Sequence, residues 1–211
     1  MPLVTRNAST QNLFVQAAQP SDPNGAWIDS DDSVMYALVN GTATTVGQFT
    51  LGSELSSTPI TDDQETIVGF NAFVGYVSTL PSTADYYVIT AIEIKTGTVA
   101  TGAVYPFAYV TGDDPPTGQL VLCAIGEKTT ITTGTTYKMP TIGLRLVAAG
   151  SKIFAGFTCN TDNRTFRSVA KSSENTVFGL TANGQTPVAT SPSFSTATYD
   201  PYVKIYYKAV Q

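Results

Sequence analysis

At 211 residues with 42% hydrophobic side chains, the chain can bury one sizeable core, and its length favours one domain, or one domain with an arm. Only 13% of residues are charged and the net charge is −5 with 11 scattered Lys and Arg, which argues against the clustered cations that nucleic-acid binding needs. There is no histidine, which excludes Ser-His-Asp and Cys-His catalysis and imidazole ligation, and two cysteines are too few for an all-thiolate zinc site.

The first twenty-five residues combine polar Gln, Asn and Thr with one apolar knot, Leu13-Phe14-Val15. They end in Gln19-Pro20-Ser21-Asp22-Pro23-Asn24-Gly25, which cannot continue regular structure. This predicts an extended N-terminal arm over 1–25 ahead of a single domain over 26–211, with a frayed terminus as the alternative. An ordered arm would bury Leu13, Phe14 and Val15 against a neighbouring subunit, because a lone apolar knot has no core of its own. The N-terminal residues lack the basic, apolar and small-residue succession of a signal peptide. The longest apolar stretch, 120–125, cannot cross a bilayer core of ~30 Å. The expectation is synthesis in the cytoplasm without membrane insertion.

From Val34 onward, period-2 alternation dominates, and no window carries a 3.6-residue stripe. Strands are predicted over 34–39, 46–51, 65–77, 86–95, 103–110, 119–125, 129–133, 141–147, 152–159, 165–170, 176–180 and 202–209, filled with the Val, Ile, Thr, Tyr and Phe that suit a pleated, half-buried surface. Turn residues punctuate these runs at Asn40-Gly41, Thr96-Gly97, Gly112-Asp113-Asp114-Pro115-Pro116, Thr133-Gly134, Ala149-Gly150-Ser151 and Asn183-Gly184. Many short strands at this spacing predict an all-β fold, an antiparallel two-sheet sandwich of jelly-roll type. Tyr105, Phe107 and Tyr109, or Leu144 and Leu146, would face inward across a gap of ~10 Å. Segment 182–198 reads as a long loop, and the last run closes the sheet as a final strand. Cys123 and Cys159 allow one disulfide but sit in apolar strand patterns, where small buried thiols are expected.

Carboxylates form three clusters, Asp29-Ser30-Asp31-Asp32, Asp62-Asp63-Gln64-Glu65 and Asp113-Asp114, each where a turn is expected. A glycosidase would need two of them at a fixed separation with one raised pKa, and solvated loops are the plainer reading. Asp29, Asp31 and Asp32 at a bend could also turn several oxygens toward one Ca²⁺, the only cofactor the residues suggest. Trp27, Tyr86, Tyr87, Tyr199, Tyr202, Tyr206 and Tyr207 could stack on sugar rings or pack into a core or interface. Because neighbours in a strand point to opposite faces, only one of Tyr86 and Tyr87, and one of Tyr206 and Tyr207, needs to be buried. Arg164 and Arg167, beside Asn160 and Asn163 on an expected hairpin, could meet an acidic partner or a carboxylated glycan.

The run ITAIEIKTGTVATGAVYPFAYVTGDDPPTGQLVL from Ile89, continuing through Thr132-Thr133-Gly134-Thr135-Thr136-Tyr137 to Ile142-Gly143-Leu144-Arg145-Leu146, resembles the jelly-roll β-sandwich modules of bacteriophage virion proteins and secreted adhesins. The resemblance covers about a third of the chain. It implies a module used for attachment or for cementing particles, repeated with symmetry and without catalysis. The expected function is therefore a non-enzymatic surface component of a phage particle, of capsid-decoration, head-fibre or collar type. Its partners would be other virion proteins and itself, as a homo-oligomer with a trimer favoured, and it would be located in the virion. A carbohydrate-binding module for a host surface glycan is the alternative, and a carboxylate-dependent glycan hydrolase the third reading. If Asp29, Asp31 and Asp32 hold calcium, adding the ion to chelator-treated protein raises the melting temperature, and an unmoved temperature removes that reading.

Overall fold

The computed structural model describes residues 13–15, 26–29, 34–39, 42–48, 51–58, 64–68, 72–112, 120–159, 164–170, 176–180, 194–196 and 199–210. Every regular element among them is a strand: β1 (Leu13–Val15), β2 (Ala26–Ile28), β3 (Val34–Val39), β4 (Thr42–Gln48), β5 (Leu51–Ser56), β6 (Gln64–Val68), β7 (Ala72–Thr79), β8 (Tyr86–Lys95), β9 (Gly102–Thr111), β10 (Val121–Gly126), β11 (Thr129–Ile131), β12 (Thr136–Gly143), β13 (Val147–Ala148), β14 (Lys152–Cys159), β15 (Arg164–Ala170), β16 (Thr176–Leu180), β17 (Phe194–Thr196), β18 (Tyr199–Pro201) and β19 (Val203–Val210).

Eight of these strands form a nest of antiparallel pairs. The innermost is β9 with β10, followed outward by β8 with β12, β7 with β14, and β5 with β19. Rolling such a nest brings β19 beside β8 and β14 beside β9. The result is two four-strand layers, ordered β5-β19-β8-β12 and β7-β14-β9-β10. This is the jelly roll, so the expected all-β sandwich is the fold found. The layers are also one continuous curled sheet. The first part of β12, Thr136 to Pro140, pairs with β8, and the rest, Thr141 to Gly143, pairs with β10. Pro140 lacks an N–H and sits where the ladder changes partner, a place that tolerates its missing donor.

Between the layers lies the main core, which includes Tyr87, Ile89, Ile92, Ile94, Val104, Ala108, Phe157 and Ile205. Strict alternation would send Ile92 and Ile94 to the opposite face from Tyr87 and Ile89. The β8 to β19 register slips by one residue, pairing Tyr206 with Ala91 but Tyr207 with Ile89, and this bulge keeps all four inward. A second cluster, built from Val77, Phe107, Tyr109, Leu120, Leu122 and Phe154, lies on the other side of β7, β14, β9 and β10. The expectation that Phe107 and Tyr109 face across the gap is thereby corrected. Val104 and Ala108 face it, Phe107 and Tyr109 are fully buried on the outer side, and Tyr105 is half-buried. Burial of both faces explains why β9 and β14 read as near-continuous apolar runs.

The outer cluster is an aromatic layer, with the Phe107 ring centroid 5.3 Å from Tyr109 and 5.5 Å from Phe154. Gly75 and Gly156 face each other in the ladder beneath it. A methyl group on Gly75 would meet the Phe154 ring at 2.6 Å, so the ring covers a strand position that has no side chain of its own.

Several expected strands split at corners. The predicted run 65–77 contains β6 and β7, which belong to different sheets, and Gly69 and Asn71 in its middle are turn-forming residues. The predicted run 141–147 holds only the end of β12 and the first residue of β13, which pairs with β8, so Leu144 and Leu146 lie off the strands and are half-buried. Within the expected loop 182–198, Phe194–Thr196 forms β17 on the edge of β16. Strands β18, β15 and β6 form a small separate sheet, joined to the end of β8 by a bridge between Thr96 and Phe166. Strands β1 to β4 form another, in which β1, from the expected arm, runs parallel to β2.

A methyl group on Gly156 would overlap the Val74 carbonyl and the Gly75 backbone in the neighbouring strand. Gly156→Ala is therefore expected to lower stability by about 3 kcal/mol in urea unfolding, the upper end of core overpacking. Gly112→Ala, where a methyl group meets nothing within 4 Å, should stay near wild type.

Candidate functional site

Two places gather polar side chains from distant parts of the chain. The first is the outward face of the β5-β19-β8-β12 layer. Alternation along β19 sends Val203, Ile205 and Tyr207 inward and Lys204, Tyr206 and Lys208 outward. Tyr87 and Tyr207 are both buried and meet edge to face at 5.4 Å, whereas Tyr86 is 49% exposed, so each tyrosine pair divides between core and surface as its parity predicts. Burial, together with nearby Tyr87, pushes the Tyr207 hydroxyl pKa up.

On the outward side, Glu93 accepts hydrogen bonds from the hydroxyls of Tyr206 at 2.6 Å and Tyr202 at 2.9 Å. The Lys138 ammonium lies 3.9 Å from the Tyr206 ring centroid and that of Lys204 lies 4.9 Å away, cation–π contacts worth about 0.5–1 kcal/mol each at a surface. Lys138 also pairs with Glu54, which accepts a hydrogen bond from Thr90 Oγ1 at 2.8 Å. Partial burial raises the Glu54 pKa, but hydrogen bonds from Lys138 and Thr90 and the charges of Lys138 and Lys208 outweigh it, leaving a net lowering.

The second place is a cleft of about 430 Å³ at one end of the sandwich, lined by residues that include Glu65, Lys95, Thr98, Thr133, Gly134 and Arg167. Gly134, at φ 63°, makes the left-handed step of the turn between β11 and β12. Nearby, the Tyr137 hydroxyl accepts the Thr132 N–H at 2.7 Å. That turn is tied to the one after β8, because Gly134 N–H donates to the Gly97 carbonyl at 2.9 Å and Thr96 Oγ1 donates to the Thr132 carbonyl at 2.7 Å. Gly97 N–H in turn donates to the Thr165 carbonyl at 2.8 Å. Any side chain on Gly97 would overlap Thr165 Oγ1 and the Glu65 carboxylate.

Glu65 is the hub of this end. Its Oε2 accepts from Thr98 N–H at 3.0 Å and Thr98 Oγ1 at 2.8 Å, and its Oε1 lies 3.4 Å from an Arg167 nitrogen. The Thr98 N–H, followed by the Thr98 hydroxyl, holds the Glu65 carboxyl below the usual range against a small desolvation penalty, with Thr165 and Arg167 adding to the effect. Sequence reading places Glu65 where an acidic turn cluster passes into the predicted strand 65–77; the structure has it on β6, opposite Arg167 of β15.

The other expected site residues scatter. Arg164 lies on β15 opposite Val68, and Tyr199 packs against the main core. Tyr202 joins the Glu93 network, and its N–H donates to the Arg167 carbonyl at 2.9 Å. Leu13, Phe14 and Val15 form β1, and Trp27 sits on β2 opposite Phe14 and Tyr36, but the side chains of these four lie outside the described residues. Asp29 is half-buried after β2, while Asp31 and Asp32 lie outside the described residues, as do Asp62, Asp63, Asp113, Asp114, Asn160 and Asn163. Cys123 and Cys159 are fully buried and are not joined by a disulfide; burial pushes the Cys123 pKa up to about 12, and its Sγ donates to the Ala108 carbonyl at 3.3 Å.

No protein-family model matches the chain, and no curated protein matches its sequence.

Because the folded pKa of Glu65 lies below its ordinary value of 4.5, its hydrogen bonds add stability that is complete above that value and is lost as pH falls through the lower folded one. Thermal melts from neutral pH to pH 3 are expected to show this acid limb. Glu65→Gln should melt lower at neutral pH and show a shallower limb; an unchanged limb would mean that Glu65 does not contribute to it.

Proposed function

We propose that the chain is a non-enzymatic structural component of a bacteriophage particle, a surface protein of capsid-decoration, head-fibre or collar type that works through protein–protein contacts. The observation that carries this reading is the nest of eight strands, because the double-sheet jelly roll is an architecture of viral capsid domains as well as lectins. A sandwich closed by a shared corner strand is rigid, and it leaves loops, sheet edges and a leading segment to meet partners. Strand β5 ends its layer with β19 as its one neighbour among the described residues, and it carries Leu55 at 45% exposure. An apolar side chain on an edge strand is a natural point of contact.

The carboxylates also weigh on this side. A glycosidase acid needs a carboxyl raised toward neutrality, whereas Glu54 and Glu65 are both lowered by donors that use them as structural acceptors. The proposed partners are other virion proteins and further copies of this chain. Light scattering on the full chain is expected to give a homo-oligomer, and the protein should bind particles assembled without it. A strict monomer that fails to bind such particles would overturn the proposal.

A further inference from the structure

We propose that the free edge of β5 pairs antiparallel with β5 of a second copy of the chain, about a two-fold axis through Leu55. This deepens the contact reading above and rests on it in taking further copies of the chain as partners. Strand β5 ends the large sheet, with β19 its one neighbour among the described residues. Leu55 lies opposite Tyr207, so the two side chains share a face, and Tyr207 in turn lies opposite Ile89 of β8. Ile89 is 1% exposed, Tyr207 6% and Leu55 45%. The core row therefore runs out of the molecule at Leu55, where an apolar side chain from one further strand would close it.

The backbone of this edge suits such a partner. Ser57 N–H donates to the Ile205 carbonyl of β19 at 2.9 Å. By alternation Leu55 also turns its backbone groups toward β19, while Glu54 and Ser56 turn theirs away from it. With the axis through Leu55, Glu54 of each copy meets Ser56 of the other, and each such pair exchanges both of its N–H···O bonds. The two leucines then meet as the closer, non-hydrogen-bonded pair and cover each other. An axis through Glu54 would instead set two carboxylates directly opposite, which is destabilising. Edges that avoid pairing carry Lys, Pro or a bulge. Residues 51–58 contain no Lys, Arg or Pro, and Glu54, their one charge, is held by Lys138 and Thr90 of its own sheet. The register shift against β19 falls between the Leu51 and Glu54 pairs, so Glu54, Leu55 and Ser56 stay in regular alignment.

The test combines sedimentation of the full chain with cysteine cross-linking. The wild type is expected to pass from monomer to dimer as its concentration rises, because one short strand buries far less than a standard interface of roughly 1,600 Å². Leu55→Lys, which sets two like charges on the axis, should weaken the dimer at least about tenfold. Val121→Lys, at a site 39% exposed on β10, should leave it unchanged. Cα atoms of a non-hydrogen-bonded pair lie about 4.5 Å apart, so Leu55→Cys should oxidise to a covalent dimer. Ser53→Cys, whose copies would lie about 14 Å apart along the strands, should not. A monomer at every concentration up to about 1 mM, a Leu55→Lys dimer as tight as the wild type, or equal cross-linking at both positions would each overturn the β5 pairing. Any of these can occur while the protein still binds particles assembled without it, so the pairing can fail and leave the contact reading standing. Leu55→Lys protein that dimerises normally but no longer binds those particles would give the edge to another virion protein, and this too overturns the proposal.

Discussion

The fold depends on β12 dividing its backbone hydrogen bonds between two sheets. Thr136 to Pro140 belong to the ladder with β8 and Thr141 to Gly143 to the ladder with β10, so the angle and spacing of the layers are fixed by covalent continuity rather than by side-chain packing alone. With the corner set, the main core has a defined width, which its side chains fill from both layers. The β8 bulge then matters as much as composition, because it keeps Tyr87, Ile89, Ile92 and Ile94 on one side of a strand that changes parity.

The two layers are not equivalent. One has a polar outward face, where Glu93, Tyr202, Tyr206, Lys138 and Glu54 satisfy one another in partial contact with solvent. The other is buried on both sides, and its outer aromatic layer rests on a ladder with two glycines in register. Threonine serves a different purpose at the sandwich end. There, Thr96, Thr98 and Thr165 take part in side-chain hydrogen bonds that tie the turn after β8 to the turn between β11 and β12, to β6 and to β15.

Much of this was legible in the sequence. Alternation locates β3, β8, β14 and β16 to the residue, and it foretells that each adjacent tyrosine pair divides between the core and the surface. It fails where the chain rounds a corner. Pro140 reads as a breaker although it lies within β12, and the alternation around residue 70 runs on between strands of two different sheets. It also cannot say which side of a doubly buried layer faces the other sheet, since apolar residues occupy both, and that is why Phe107 and Tyr109 were placed on the wrong one. The Glu65 cleft was hidden for another reason. Glu65 and Arg167 are 102 residues apart, and nothing local to either specifies the β6 to β15 register that sets them opposite each other. In the sequence Arg167 belongs to a basic spot and Glu65 to the end of an acidic cluster where a strand begins, and nothing in either links the two.

The nested order of the strands also has a kinetic meaning. The inner hairpin of β9 and β10 closes a short loop, while β5 must find β19 across nearly the whole domain. Loop-closure entropy grows with separation, and long-range β pairing is slow, so the inner pairs are cheapest to form and the outer pair the most demanding. On a ribosome, β5 emerges well before β19 and stays without its mate until all the strands between them have been synthesised. During that interval its edge is exposed to any strand of suitable pattern, which makes translation the period of greatest hazard for this architecture.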